Sequence, residues 1–364
     1  MNFEMKEIPR QQSDRVRDQR IERVVELVAP AEILEDLPLG REREDAVLAR
    51  RAEVKSILDR DDDRMLVVVG PCSVHDPEAA TDYAQRLAER AQDLRDDLCV
   101  TMRVYFEKPR TTTGWKGLIN DPQLDGSRDV NAGLHAARRL LIEVTDLGLP
   151  IGCEFLDPIT PQYISDVVAW GAIGARTTES QIHRQLASGL SMPVGFKNGT
   201  AGSVKLAVDA VRAAAAPHAF AGVDVSGTPA ILYTEGNEDC HVILRGGRAA
   251  PNYDADSVHQ ALEQLRAAGL AERVVIDASH DNSGKDHERQ PDVVSEIADQ
   301  IAAGNGAIVG AMMESFLVAG RQDLESGRPL VYGQSITDAC MDWDHTVLTL
   351  DRLASAVRKR REAG

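Results

Sequence analysis

Residues 67–76 read VVVGPCSVHD, and the fold turns on how that stretch is understood. Three β-branched valines make a short apolar run of the kind that is buried on both faces of a sheet. Gly70-Pro71 ends the run, because proline has no N–H to give a neighbouring strand. Asp76-Pro77 then opens a helix, with an acidic cap and proline at the first helical position. The helix carries its apolar stripe at Ala80, Tyr83, Ala84, Leu87, Ala91 and Leu94. The stretch is therefore a strand, a loop bearing Cys72 and His75, and a helix. By residue type alone the Cys72 thiol could be a nucleophile with His75 or His280 as its base, a metal ligand, or a small apolar residue. His75 itself reads as a residue that hydrogen-bonds within the loop.

The same unit recurs. Apolar strands are predicted at 66–69, 100–105, 151–155, 172–175, 194–196, 241–244, 274–276 and 307–312, with helical stretches between them. Eight such units predict an α/β fold of the (β/α)8 TIM-barrel type; an open doubly wound sheet is the alternative. Two further runs, 219–225 and 230–233, exceed the count and read as an inserted β-hairpin at about 219–235. Thr178-Glu179-Ser180-Gln181 reads as a capping box for the helix that follows. Residues 1–64 read as a helical N-terminal extension, and 65–364 as the catalytic barrel. Within the extension Ile21, Val24, Val25 and Val28 share a helical face, Pro38 interrupts, and a second helix covers about 42–58.

Composition narrows the function. Hydrophobic residues make up 43% of the 364, enough for a large core, and the net charge is −17. That charge argues against nucleic acid and anionic membranes as partners. No apolar run approaches the length of a membrane span. The N-terminal residues are charged and lack the apolar core of a signal peptide. Cys72, Cys99, Cys153, Cys240 and Cys340 are odd in number and contain no CxxC pair, which fits a reducing, cytoplasmic setting.

In a barrel, chemistry collects at the C-terminal ends of the strands. In chain order those ends carry Cys72; Arg103, Lys108 and Arg110; Glu154; Arg176; Lys197; Arg245; Asp277 and His280; and Glu314. An acidic protein that gathers six cations on one face is building an anion site, since buried charge must be matched. Their number fits more than one anionic group. Arg176-Thr177-Thr178 also precedes a helix N-terminus, where phosphate binds well. Cys72, His280, Glu314 and Asp338 offer a mixed S, N and O donor set that suits Mn, Fe, Co or Zn.

The motifs VVVGPCSVHDP, MRVYFEKPRTTTGWKGLINDP, EFLDPITPQY, WGAIGARTTESQIHRQLASGL, PVGFKNGT, DCHVILRGG, DASH and SITDAC are similar to those of the type I 3-deoxy-D-arabino-heptulosonate 7-phosphate (DAHP) synthases. The chain most resembles the feedback-regulated subgroup with a helical N-terminal extension, from about residue 20 to the C-terminus. The resemblance implies a (β/α)8 barrel and a divalent metal. It implies condensation of phosphoenolpyruvate with erythrose 4-phosphate, with release of phosphate, as the first step of the shikimate pathway. It also implies roles. Cys72, His280, Glu314 and Asp338 match the metal ligands, which answers the question of the thiol. Arg176 and Arg245 match the residues on the phosphoenolpyruvate phosphate, and Arg103 and Lys197 those near its carboxylate. Lys108 lies between the substrates as the candidate acid, and Glu154 orients cations or water. Arg110 and Thr111 match the site for the aldose phosphate. Pro161, Gln162 and Ser191 fall where an aromatic amino acid effector binds, in a homodimer or homotetramer. Chorismate mutase is a possible partner enzyme.

Two departures stand out: Asp224-Val225-Ser226 where the family carries a Thr-Lys turn, and Asp281 where alanine is common. Two other readings stand beside this one, and the departures motivate the first. One is the same chemistry with a different phosphorylated aldehyde in a secondary pathway. The other is a non-catalytic, aromatic-amino-acid-binding regulatory homologue.

Overall fold

The computed structural model describes residues 7–8, 16–109, 114–324 and 328–363. Eight parallel strands close into a barrel: β1 (Met65–Gly70), β2 (Leu98–Arg103), β3 (Ile151–Glu154), β4 (Trp170–Ile173), β5 (Val194–Lys197), β6 (His241–Leu244), β7 (Val274–Asp277) and β8 (Ile308–Glu314). Every residue of these strands is buried, as expected where helices cover the outside and side chains fill the inside. The doubly wound alternative is excluded by closure: β1 pairs with β8, and Gly70 lies opposite Glu314. β5 pairs directly with β6, so the antiparallel hairpin of Ala219–Val223 and Pro229–Tyr233 hangs outside the barrel wall.

Two helices precede the barrel, α1 (Pro30–Asp36) and α2 (Gly40–Asp59), and Pro38 separates them as expected. α2 packs Val54, Ile57 and Leu58 into one buried cluster with the barrel interior, including Leu66, Val68, Trp170, Ile243 and Met312. It thereby stops the end of the barrel where the strands begin. α3 (Pro77–Leu94) starts as predicted. Asp76 accepts from the N–H groups of Glu78 and Ala79, and Ala80, Tyr83, Ala84 and Leu87 face inward.

Two local expectations fail. The segment of Ile21, Val24, Val25 and Val28 is extended rather than helical: Val25 bridges Glu7, and the Ile8 N–H donates to the Val24 carbonyl. Three of its four apolar residues are valine, whose branched Cβ loses rotamer freedom in a helix and fits an extended chain. The helix after β4, α6 (Gln181–Gly189), has no capping box. Thr178 is fully buried instead, and its hydroxyl donates to the Lys197 carbonyl at 2.6 Å, pinning the β4 loop to the end of β5.

Candidate active site

Barrel closure sets the floor of the site. Cys72 follows β1 and Glu314 ends β8, so the pairing of these strands brings them together. The Cys72 Sγ and one carboxylate oxygen each of Glu314 and Asp338 lie within 4.8 Å of one another. His280 joins them, with Nε2 3.7 Å from Glu314 Oε1. Its tautomer follows from its neighbours. Ser279 Oγ donates its one hydrogen to Asp277 Oδ1 at 2.5 Å, so at 2.8 Å it must accept from His280 Nδ1. Nδ1 also lies 2.9 Å from Asp277 Oδ2, at ion-pair distance. Nε2 is left facing Glu314. A ring nitrogen held in this way is how proteins prepare a histidine to bind metal.

Cations surround this group. Arg103 is wholly buried and donates to Glu314 Oε1 at 2.8 Å and to the Cys72 carbonyl at 3.2 Å, with its guanidinium 3.6 Å over the Tyr105 ring. Lys108 Nζ lies 3.0 Å from Cys72 Sγ and 3.1 Å from the Cys72 carbonyl. Lys197 Nζ lies 3.0 Å from Asp277 Oδ2, and Arg245 is paired with Asp281. Burial works against ionisation of Glu314, but His280, Arg103 and Lys108 outweigh it and hold its carboxyl below the usual range. Burial also opposes charge on Lys108, and Cys72 and Glu314 overcome it, so its ammonium is held above its ordinary value. Burial, reinforced by Glu314, pushes the Cys72 thiol up. A raised thiol pKa is the reverse of what a nucleophilic cysteine needs. It is compatible with a ligand, because a bound cation displaces the proton.

Above the floor opens a cavity of about 670 Å³. Lys108, Glu154, Arg176, Lys197, Arg245, His280 and Asp338 line it, so the structure brings most of the expected site residues to one place. Glu154 is buried, and Gly174 leaves room for it: a Cβ on Gly174 would lie 2.3 Å from Glu154 Oε1. Arg103 does not line the cavity and sits beneath it, against Glu314 and Tyr105. Arg110 and Thr111 lie outside the described residues. Pro161 and Gln162 are on a short helix, α5 (Pro161–Ile164), which packs against α1, and Ser191 is exposed in the turn after α6. His75 is buried against Phe316, and its Nδ1 has no hydrogen-bond partner among the described residues. A second cavity of about 660 Å³ lies at the opposite end. Its charges are matched with one another, as in Arg64 with Glu53 and Arg361 with Asp63, which leaves no concentrated positive field.

Residues 43–351 match the model of the DAHP synthetase I family. The chain belongs to that family. It is 55% identical to the Phe-sensitive phospho-2-dehydro-3-deoxyheptonate aldolase of Escherichia coli (strain K12), over 94% of this chain and 98% of that protein. It is 51% identical to the tyrosine-inhibited phospho-2-dehydro-3-deoxyheptonate aldolase of Schizosaccharomyces pombe, over 92% and 91%. A solved structure of phospho-2-dehydro-3-deoxyheptonate aldolase from Francisella tularensis SCHU S4 superposes with a TM-score of 0.92, at 50% identity, covering 94% of this chain and 99% of that one.

Within this DAHP synthetase I barrel the reading of strand ends overlooked Glu107, which stands beside Lys108. Its carboxylate is buried, accepts from the Thr160 hydroxyl at 2.9 Å, and so ties the loop after β2 to the turn that leads into α5. The only sequence signal was a charge next to a charge, which reads as solvated. Burial, with Asp157 adding repulsion, pushes Glu107 up to about 7. A carboxyl whose folded pKa is raised lends stability that is complete below its unfolded value and is lost as pH rises through the folded one. Replacing Glu107 by Gln fixes the neutral form. The variant is expected to gain stability over the parent between pH 5 and pH 8, by on the order of 2–3 kcal/mol. Urea midpoints at the two pH values measure this, and an equal difference at both would contradict it.

Proposed function

We infer that this protein is a DAHP synthase: it joins phosphoenolpyruvate to erythrose 4-phosphate and releases phosphate, as the first step of the shikimate pathway. The observation that carries the reading is one cavity in which Lys108, Arg176, Lys197 and Arg245 converge above buried Cys72 and Glu314 and the partly buried Asp338. Both substrates are anions and repel each other in water, so much of the rate must come from holding them together. Positioning of this kind is worth on the order of 7–11 kcal/mol at best.

The roles are proposed residue by residue. Arg245 and Arg176 hold the phosphate of phosphoenolpyruvate. Lys197 meets its carboxylate, and Arg103 adds positive charge from beneath. Arg110 and Thr111 take the phosphate of the aldose. Cys72, His280, Glu314 and Asp338 would hold a divalent ion of the Mn, Fe, Co or Zn class, which acts as a Lewis acid on the aldehyde. C3 of phosphoenolpyruvate attacks the aldehyde carbon, and positive charge develops at C2. Lys108 keeps a proton at Nζ and delivers it to the developing alkoxide, directly or through water. Glu154 orients the water that adds at C2 or the cations around it, after which phosphate leaves by C–O cleavage.

Regulation and assembly are part of the same proposal. Relatives named as Phe-sensitive and tyrosine-inhibited support an aromatic effector, placed at Pro161, Gln162 and Ser191. Exposed Ile21, Val24 and Leu27 of the N-terminal arm, with Ile231 and Tyr233 of the hairpin, support a homodimer or homotetramer. Among the described residues no helix is long and apolar enough to cross a membrane. A regulatory homologue without catalysis has no reason to keep paired charges buried at the strand ends. A different phosphorylated aldehyde remains the rival substrate, motivated by the altered hairpin turn at Asp224-Val225-Ser226.

Metal-stripped protein mixed with phosphoenolpyruvate and erythrose 4-phosphate is expected to release phosphate only after Mn2+ is added, with an equal yield of DAHP. Release without the aldehyde, or none with metal bound, would overturn the reading. In the same assay Lys108→Met should lower kcat by at least about 100-fold. An unchanged kcat would remove Lys108 as the acid.

A further inference from the structure

Arg245 follows β6 and is buried except for a sliver facing the cavity. Its Nη1 donates to Oδ2 of Asp281, while its buried Nε has no hydrogen-bond partner among the described residues. A guanidinium that lines a cavity is a ready anion site. A carboxylate already occupies part of it.

The backbone fixes that carboxylate in place. His280, before it, has φ 54°, and Lys285 N–H donates back to the His280 carbonyl at 2.6 Å. Asn282, after it, is buried, donates to the carbonyls of Leu244 and Asp277 at 3.2 and 2.8 Å, and accepts from the Asn252 N–H at 2.8 Å. Gly246, next to Arg245, has φ +76°, and a Cβ there would lie 2.6 Å from the backbone of Asp281 and Asn282. The loops after β6 and β7 therefore touch backbone to backbone, and Asp281 is held beside Arg245.

We propose that Asp281 is a positioning residue: a resident carboxylate that steadies Arg245 and competes with phosphoryl groups for its guanidinium. The proposal rests on the reading of the cavity as a phosphoenolpyruvate site. Any phosphate that reaches Arg245 must displace Asp281 or share a cation with it, at the cost of like-charge repulsion. Affinity is lowered for substrate and released phosphate alike. A weaker hold on phosphoenolpyruvate is thus matched by faster departure of the product anion.

Asp281→Asn keeps size and removes charge, and Asp281→Ala removes both. Both variants should bind inorganic phosphate about tenfold more tightly by calorimetry, the scale of one screened like charge. KM for phosphoenolpyruvate and the inhibition constant of phosphate should fall in parallel. KM for erythrose 4-phosphate should move by less than roughly twofold, because Asp281 is paired with Arg245, the residue assigned to phosphoenolpyruvate. A gain in affinity is not what lost packing produces. Thermal melts establish folding, and if the alanine variant fails to fold the asparagine variant decides. Phosphate bound no more tightly by either variant, or a shift confined to erythrose 4-phosphate, would overturn the proposal. Direct phosphate binding keeps the two readings apart. A parent protein inactive with these substrates sinks the DAHP synthase reading, whereas tighter phosphate in the variants would still uphold Asp281. An active parent whose variants bind phosphate no better sinks Asp281 alone.

Discussion

Two ion pairs sit inside this molecule almost out of reach of water: Arg103 with Glu314, and Lys197 with Asp277. An isolated charge in such a place costs several kcal/mol, and even a matched pair roughly breaks even against apolar side chains. The pairs are therefore weak evidence for stability and better evidence for a site. They also tie the site to the fold. Arg103 ends β2 and Glu314 ends β8, the two strands that flank β1, while Lys197 ends β5 and Asp277 ends β7, the two that flank β6, so each pair bridges one intervening strand at the rim. A sheet left open between β1 and β8 would separate Arg103 from Glu314, so closure of the hydrogen-bonded wall also neutralises that pair.

The apolar contents of the barrel follow from the same demand. Strand interiors are buried on both faces, so the charges are pushed to the last residue or just past it. α2 closes the other end with Val54, Ile57 and Leu58, which leaves one mouth open. Lys108, His280 and Asp338 reach that mouth from loops, where backbone is free to aim them. His280 shows how far the aiming goes: Ser279 and Asp277 fix its tautomer before any ligand arrives.

Much of this was legible in the sequence because strand ends are punctuated. Short valine-rich runs stop at Gly-Pro, at Arg or at Asp, and those stops lie at the cavity end of the barrel. The extra hairpin was legible as two runs too many. What failed were readings that depend on contacts between distant segments. Residues 21–28 have helical spacing, yet Val24 and Val25 pair with the chain near Glu7 and Ile8. Thr178 looks like half of a capping box, yet its hydroxyl is spent on β5. Arg103, read as lying near the substrate carboxylate, packs its guanidinium against Glu314 and Tyr105. Asp281 stood out as an unusual residue beside a ligand, but nothing in its neighbourhood in sequence announced Arg245 as its partner.

The thiol that ends the first strand is the most exposed joint in this account. Its approach to Glu314 and Asp338, with Nε2 of His280 beside Glu314, argues that it is a metal ligand. Cobalt reports on this without any need for turnover, because a thiolate bound to Co2+ adds a charge-transfer band in the near ultraviolet. Metal-stripped protein titrated with Co2+ should develop that band at one equivalent, and Cys72→Ser should lose it while still showing weaker cobalt binding through His280, Glu314 and Asp338. A band that survives in the serine variant, or cobalt that binds the parent with no sulfur signature, would contradict the assignment and return Cys72 to the core.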